Sequence, residues 1–297
     1  MAVLCCALVG TTSDAIAQTS STSSTEPIAF DRPEAWAMKY FTSATALSGL
    51  STPDRLTPGS LAIQFESGWL PTLSTTQERV GFNGTTPEDL NKAPVFLRPR
   101  VAFGLPHDLS IIVAVAPPIR AFGLTPRLLA LGIDGTIHDS GVWRFGWRAH
   151  GQMGTVTGAF TCPANVTSFA PGSTNDPTGC TGESSDVTTL RYAGVEVQAA
   201  RRIGRRLAPH AAAGANVVDN IFQTNAQTYG QPDHTRLHAR GLTVTTSAGI
   251  GYVVTERFTL SADLFYAPLT VRRTSSSASS IDPMFNARAL LSYRVTR

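Results

Sequence analysis

Charge is scarce in this chain of 297 residues: 15% are Asp, Glu, Lys or Arg, against about 25% in ordinary soluble domains. Long apolar runs are missing too. Although 42% of residues are hydrophobic, no stretch approaches the roughly 18 residues that a membrane-spanning helix requires. Net charge is only +3, and no basic stripe interleaved with aromatics occurs, so no nucleic-acid partner is expected. Cysteine is limited to four residues, with no second pair of ligands at a suitable spacing, so neither a metal nor a cofactor is expected. What the chain does have is glycine, serine and threonine between short alternating segments.

Residues 1–17, MAVLCCALVGTTSDAIA, have the apolar region and A-x-A site of a signal peptide, although no Lys or Arg precedes the apolar region. Cys5 and Cys6 fall inside this leader. An exported chain would then keep Cys162 and Cys180, an even pair, read as one disulfide closing a loop. Residues 18–57 are read as a disordered Ser/Thr tail followed by an amphipathic helix. Pro33 suits the first helical turn and Asp31 could cap it. Trp36, Tyr40, Ala44 and Leu47 recur at helical spacing with Phe41 beside them, and the helix should end near Gly49. Its apolar face could plug a barrel from below, lie in the membrane interface or pack on a rim.

From residue 58 the period changes to two. In WRFGWRAHGQM, Trp143, Phe145, Trp147, Ala149 and Met153 alternate with Arg144, Arg148, His150 and Gln152. A helix would hold Gly146 and Gly151 internally, at about 1 kcal/mol each relative to Ala, so a strand is favoured. About ten segments follow this pattern. Their connections alternate, short at 106–108, 138–141, 202–206 and 255–257, longer at 71–93, 117–126, 161–187, 219–240 and 272–283. A soluble sandwich has no reason to lengthen every second connection, whereas a membrane barrel has one end toward the periplasm and one toward the outside.

In this pattern, rather than in any signature motif, the chain resembles bacterial outer-membrane β-barrel proteins over residues 58–297. The resemblance implies an all-β, antiparallel, transmembrane up-and-down barrel of about ten strands, possibly twelve, located in the outer membrane. It also implies contact with outer-membrane lipids and with the barrel assembly machinery, and both termini on the periplasmic side. Aromatic belts would include Phe103, Trp143, Phe145, Tyr252, Phe258 and Tyr293 on the periplasmic side, and Trp69, Tyr192 and Tyr266 on the outer. The chain departs from the family in ending Val295-Thr296-Arg297 rather than in an aromatic.

The polar phase places Glu66, Arg98, Arg100, Asp134, Arg144, Arg148, His150, Glu196, His210, Asp263, Arg288 and Arg294 inside, together with Gln64, Gln198, Asn216 and Asn286. Arginines outnumber carboxylates. Two readings stand: a narrow passage favouring small anions, lined by Arg98, Arg100, Arg144 and Arg148, or a lumen packed shut by Arg–carboxylate pairs. The alternative function is a transporter of hydrophobic solutes, similar to the long-chain fatty-acid transporter family, with Trp36, Tyr40 and Phe41 on a hatch helix. A hydrolase at the rim or an adhesin is a lesser reading. No catalytic residue is assigned and no enzyme is expected, because His138-Asp139 and Asp233-His234, being adjacent, would face opposite ways on a strand.

Overall fold

The structure, a computed structural model, describes residues 24–50, 56–274 and 277–295. The leader expected at 1–17 and most of the Ser/Thr tail lie outside the described residues. Ten long antiparallel strands make the wall: β1 Leu61–Trp69, β2 Val95–Leu105, β3 Leu109–Ala116, β4 Thr125–Asp139, β5 Trp143–Gly158, β6 Asp186–Arg201, β7 Leu207–Gln223, β8 Arg236–Val253, β9 Phe258–Ala267 and β10 Met284–Arg294. Each pairs with its neighbour in sequence, and β10 pairs with β1, so the sheet closes on itself.

Period two drives the arrangement. Ile63, Phe65, Leu97, Val101, Leu131, Val195, Val197, Leu242 and Val244 stand exposed on the outside of the wall, while Gln64, Glu66, Arg98, Arg100, Glu196 and Thr245 between them are buried inside. In water this would be an inverted protein. It is the arrangement a barrel needs when its outside meets acyl chains. Trp143, Phe145, Tyr252 and Tyr293 are exposed near one end and Trp69 near the other. Tyr192 is not part of the outer belt: it belongs to the buried phase and points into the lumen.

Connections 106–108, 140–142, 202–206 and 254–257 lie at one end, here the inner end, and 70–94, 117–124, 159–185, 224–235 and 268–283 at the other. The wall is uneven in height. The segment expected to be a loop at 219–240 is mostly strand, because β7 runs on to Gln223, β8 starts at Arg236, and Ala226–Thr228 pairs with Gln231–Asp233 between them. In these ends the polarity is reversed, with Asp219, His238 and Arg240 outward and Phe222, Leu237 and Ala239 packed inward against the N-terminal helix, which hides the period, and they project above the apolar band. The row that marks its upper edge contains exposed Met153 paired with Arg191, and Asp219 paired with Arg240.

Helix α1 spans Pro33–Ala44, shorter than the spacing suggested, and Arg32, not Asp31, is its N-cap residue, with no side-chain cap. Asp31 instead accepts from Arg272, at 3.1 Å through its side chain. The helix sits in the outer mouth, neither below the barrel nor on its rim. Trp36 donates to the Asp282 carbonyl at 2.9 Å and Tyr40 to the Pro71 carbonyl at 3.3 Å, both in outer loops. Thr45 to Leu50 then descend through the lumen without helical structure. Ser24–Pro27 therefore lie at the outer end, while β10 finishes at the inner one, because the lumen itself is threaded; the N-terminus expected on the periplasmic side lies outside the described residues.

Cys162 and Cys180 are joined across an outer loop at a sequence separation of 18. Closing a loop of that length constrains the unfolded chain by about 3 kcal/mol. Cys162→Ser should abolish the reductant-dependent gel shift of the denatured chain and raise protease cleavage within 159–185, with the barrel still resisting unfolding in detergent.

Candidate functional site

A peptide running through a lumen closed to water must find donors for its carbonyls, since an unmet buried carbonyl costs about 1–3 kcal/mol. Here the wall supplies them. From Ser43 to Gly49 every carbonyl accepts a hydrogen bond from a wall side chain. Arg288 donates to Ser43, Ala46 and Ser48 at 2.8, 3.0 and 3.0 Å. Asn286 reaches Ala44 at 3.4 Å and Arg98 reaches Thr45 at 2.8 Å. Arg148 donates to Leu47 and Gly49 at 3.4 and 2.7 Å. The first of these carbonyls belong to the last turn of α1, whose dipole favours nearby cations.

The N–H groups of the same segment meet acceptors. Leu47 donates to the Tyr192 hydroxyl at 2.6 Å, Gly49 to Glu196 at 3.0 Å and Leu50 to Asp263 at 2.9 Å. Gly49 has φ +71°, and a Cβ there would lie 2.6 Å from the Asp263 carboxylate and 2.7 Å from the Ser247 hydroxyl, so only glycine fits this step.

The carboxylates balance part of the arginine charge. Glu66 accepts from Arg98 at 2.7 and 3.0 Å and from Arg100 at 3.2 Å. Arg148 pairs with Asp134 and, at 3.0 Å, with Glu196. The excess of arginine over carboxylate is thus matched to backbone dipoles rather than to a mobile anion. At the level of Arg98, Arg148 and Arg288 the segment Thr45–Leu50 fills the lumen, so these arginines do not line an open passage. Below it, Arg100, Asp134 and Arg144 border a cavity of about 80 Å³ near the inner end, and Arg294 lines a smaller one of about 20 Å³.

The histidines are placed differently. His150 is buried with both ring nitrogens unpartnered among the described residues, edge-on to Tyr192 at 5.5 Å between ring centres. His210 lies 3.4 Å from the Ala208 carbonyl. A pairing that the sequence did not reveal joins His238 to Asp219 on the outward face of the projecting wall, hidden because that segment reads as a loop. No group of three or more His, Cys, Asp or Glu that could hold a metal occurs among the described residues.

A larger cavity, about 480 Å³, lies beside α1. Inside, it is bounded by Tyr40, Phe41, Ala44, Leu128 and Leu190; outside, by Phe65, Leu97 and Pro99 of the outward face. It therefore passes through the wall. The β2–β3 ladder extends only from Leu105↔Leu109 to Arg100↔Ala114, leaving Val95–Pro99 without a partner on that side. Three prolines account for this, as Pro99, Pro117 and Pro118 have no N–H to donate and β3 stops at Ala116. At roughly 3.3 Å per residue and a tilt near 40°, the gap lies about 15–25 Å above the inner edge, within the outer half of an apolar band about 25 Å tall.

The helix and an outer loop beside it each carry a buried titratable group. Lys39 Nζ donates to the Phe30 and Thr270 carbonyls, both at 2.7 Å, and burial holds its pKa down at about 8. Glu88 lies beside Gly81; burial, reinforced by the Asp186 carboxylate, pushes its pKa up to about 8.

No protein-family model matches the sequence, and no curated protein matches it. Among solved structures, the attachment invasion locus protein Ail of Yersinia pestis aligns with a TM-score of 0.29 and 13% identity, covering 80% of this chain and 99% of that one. The outer membrane protease OmpT from Escherichia coli gives 0.41 and 11%, covering 80% and 94%. The monoaromatic hydrocarbon channel CymD gives 0.32 and 10%, covering 79% and 66%. At such identities these likenesses carry no role across. The closed sheet, with its apolar exterior and polar interior, decides the class. This chain has the fold of an outer-membrane β-barrel. The barrel's long loops accordingly face the cell exterior and its short turns the periplasm.

Arg288→Met removes three donors from the threaded segment. Wild-type barrel in a planar bilayer should be silent or nearly so, and the variant should show flickering conductance; equal traces would mean that Arg288 does not hold the segment. Glu88 has a folded pKa above its unfolded value, so its stabilising contribution is complete below about 4.5 and is lost as pH rises through about 8. Thermal stability should fall by the order of a few kcal/mol between pH 5 and 8, and Glu88→Gln should flatten that decline. Lys39, its pKa lowered, acts in the opposite sense and only above about 8.

Proposed function

We propose that the barrel protein passes small, uncharged, hydrophobic compounds between the cell exterior and the outer leaflet, with α1 as a hatch over the cavity. The observation that carries this reading is the apolar cavity that crosses the wall between β2 and β3. Its volume of about 480 Å³ lies within the 300–1,000 Å³ usual for small-molecule sites. Its walls are aliphatic and aromatic, and the polar groups along it are spent locally: Tyr40 on the Pro71 carbonyl, Asn91 on both backbone groups of Leu73. An ion would be desolvated there without a partner, whereas a hydrocarbon would lose only its unfavourable contact with water.

The threaded segment supports a lateral route over an axial one, because it blocks the lumen below the cavity. We further read the protein as non-enzymatic: His150 and His210 have no arrangement suited to a general base. Contacts with lipids and with the assembly machinery follow from the class and are part of the same reading.

Cells producing the protein should accumulate naphthalene faster than cells without it, and should show no gain for benzoate. Ala116→Trp, which occupies the cavity, should reduce the naphthalene gain at least about five-fold while leaving the heat-modifiable band intact. Equal accumulation with and without the protein would overturn the reading.

A further inference from the structure

We propose that the protein presents its N-terminal end on the outer face of the membrane, the chain entering the lumen from outside, so that a polypeptide joined ahead of Glu26 is displayed at the cell surface. The direction of the backbone carries this. Glu26 and Pro27 run parallel to the outer end of β8, opposite Leu237 and His238, and the Ile28 amide donates to the His238 carbonyl at 2.9 Å. Those partners lie above the Asp219–Arg240 pair that marks the upper edge of the apolar band. Ser24 to Pro27 are exposed.

The opposite end of the threaded segment is equally fixed. Leu50 borders the cavity shared with Asp108 and Ser110 at an inner turn, and the Gly59 amide donates to the Gly104 carbonyl at 2.9 Å, next to the 106–108 turn. Between these points the chain passes once through the lumen.

The entry is built rather than incidental. The β8–β9 ladder covers only Thr246 to Val253, which leaves the outer half of β8 with a free edge on that side. Glu26–Ile28 occupies part of this edge. Phe30 packs so closely on Gly241 that a Cβ there would lie 2.5 Å from its ring, and Lys39 bonds the Phe30 carbonyl. At the level of the arginines the lumen holds a single length of irregular backbone and is filled by it. A polypeptide ahead of Glu26 would therefore have to pass unfolded, or before the sheet closes.

The test places single cysteines in a Cys5→Ser, Cys6→Ser background, where Cys162 and Cys180 are consumed in their disulfide. Thr25→Cys, Ser279→Cys in an outer loop and Arg205→Cys in an inner turn, all exposed positions, are treated on intact cells with a membrane-impermeant maleimide. The expected result is labelling of Thr25→Cys and Ser279→Cys in intact cells, with Arg205→Cys labelled only after the outer membrane is disrupted. Thr25→Cys following Arg205→Cys, or staying unlabelled under both conditions, overturns the proposal. A protease site and epitope inserted between Ser24 and Thr25 give the second readout: added protease should release the epitope from intact cells, and release only after disruption contradicts the threading. Neither result depends on hydrophobic transport, so this inference and the proposed function can fail separately.

Discussion

A backbone that crosses the inside of a barrel has no neighbouring strand to satisfy it, and this single constraint organises the lumen. Among the described residues only the Ser43 carbonyl accepts from a backbone N–H, that of Ala46 at 3.3 Å, and the carbonyls of Ala44 to Gly49 depend on side-chain donors. Arginine solves the problem well, because one planar guanidinium presents five donors in a fixed fork and can serve two or three carbonyls at once. Arg288 does so for three of them. Burying three or more guanidinium charges would be costly alone, and Glu66, Asp134 and Glu196 offset that cost at the same level.

The rest of the architecture follows from where the threaded segment ends. Above it, α1 seals the mouth and leaves an apolar space against the wall. Below it, the inner vestibule remains polar and small. The wall gap at Pro99, Pro117 and Pro118 opens onto the apolar space and not onto the arginines, so the two halves of the lumen offer a solute very different surroundings. A hydrophobic compound entering from the outer loops meets aromatic and aliphatic surface and then acyl chains, without crossing the charged level.

Much of the wall was legible because period two leaves a mark on every residue of a membrane-crossing strand. The alternation in Trp143–Met153 assigns Arg148 and His150 to the inside without further information, and the alternating connection lengths assign the two ends. The signal fails where the strands leave the membrane. Around Asp219 and His238 the outward face meets water while Leu237, Ala239 and Phe222 pack inward on α1, so the polarity is the reverse of that in the membrane band although the pairing continues. It fails again at Thr45–Leu50, whose conformation is set by residues 53 to 242 positions away in sequence. Trp36, Tyr40 and Ala44 obey the helical spacing because they share one helix; Leu47 matched it by coincidence. The inward arginines could be counted from sequence, but their partners could not, because a backbone carbonyl has no side chain to identify it.

The closed lumen depends on Thr45–Leu50 being held by the wall rather than drifting in an open tube. Amide hydrogen exchange on the intact barrel in lipid bilayers tests this directly. The Leu47, Gly49 and Leu50 amides, bonded to Tyr192, Glu196 and Asp263, should exchange as slowly as those of the central strands. Exchange at the rate of the outer loops would show a solvated, loosely held segment, and would contradict the closed lumen on which the structure is interpreted.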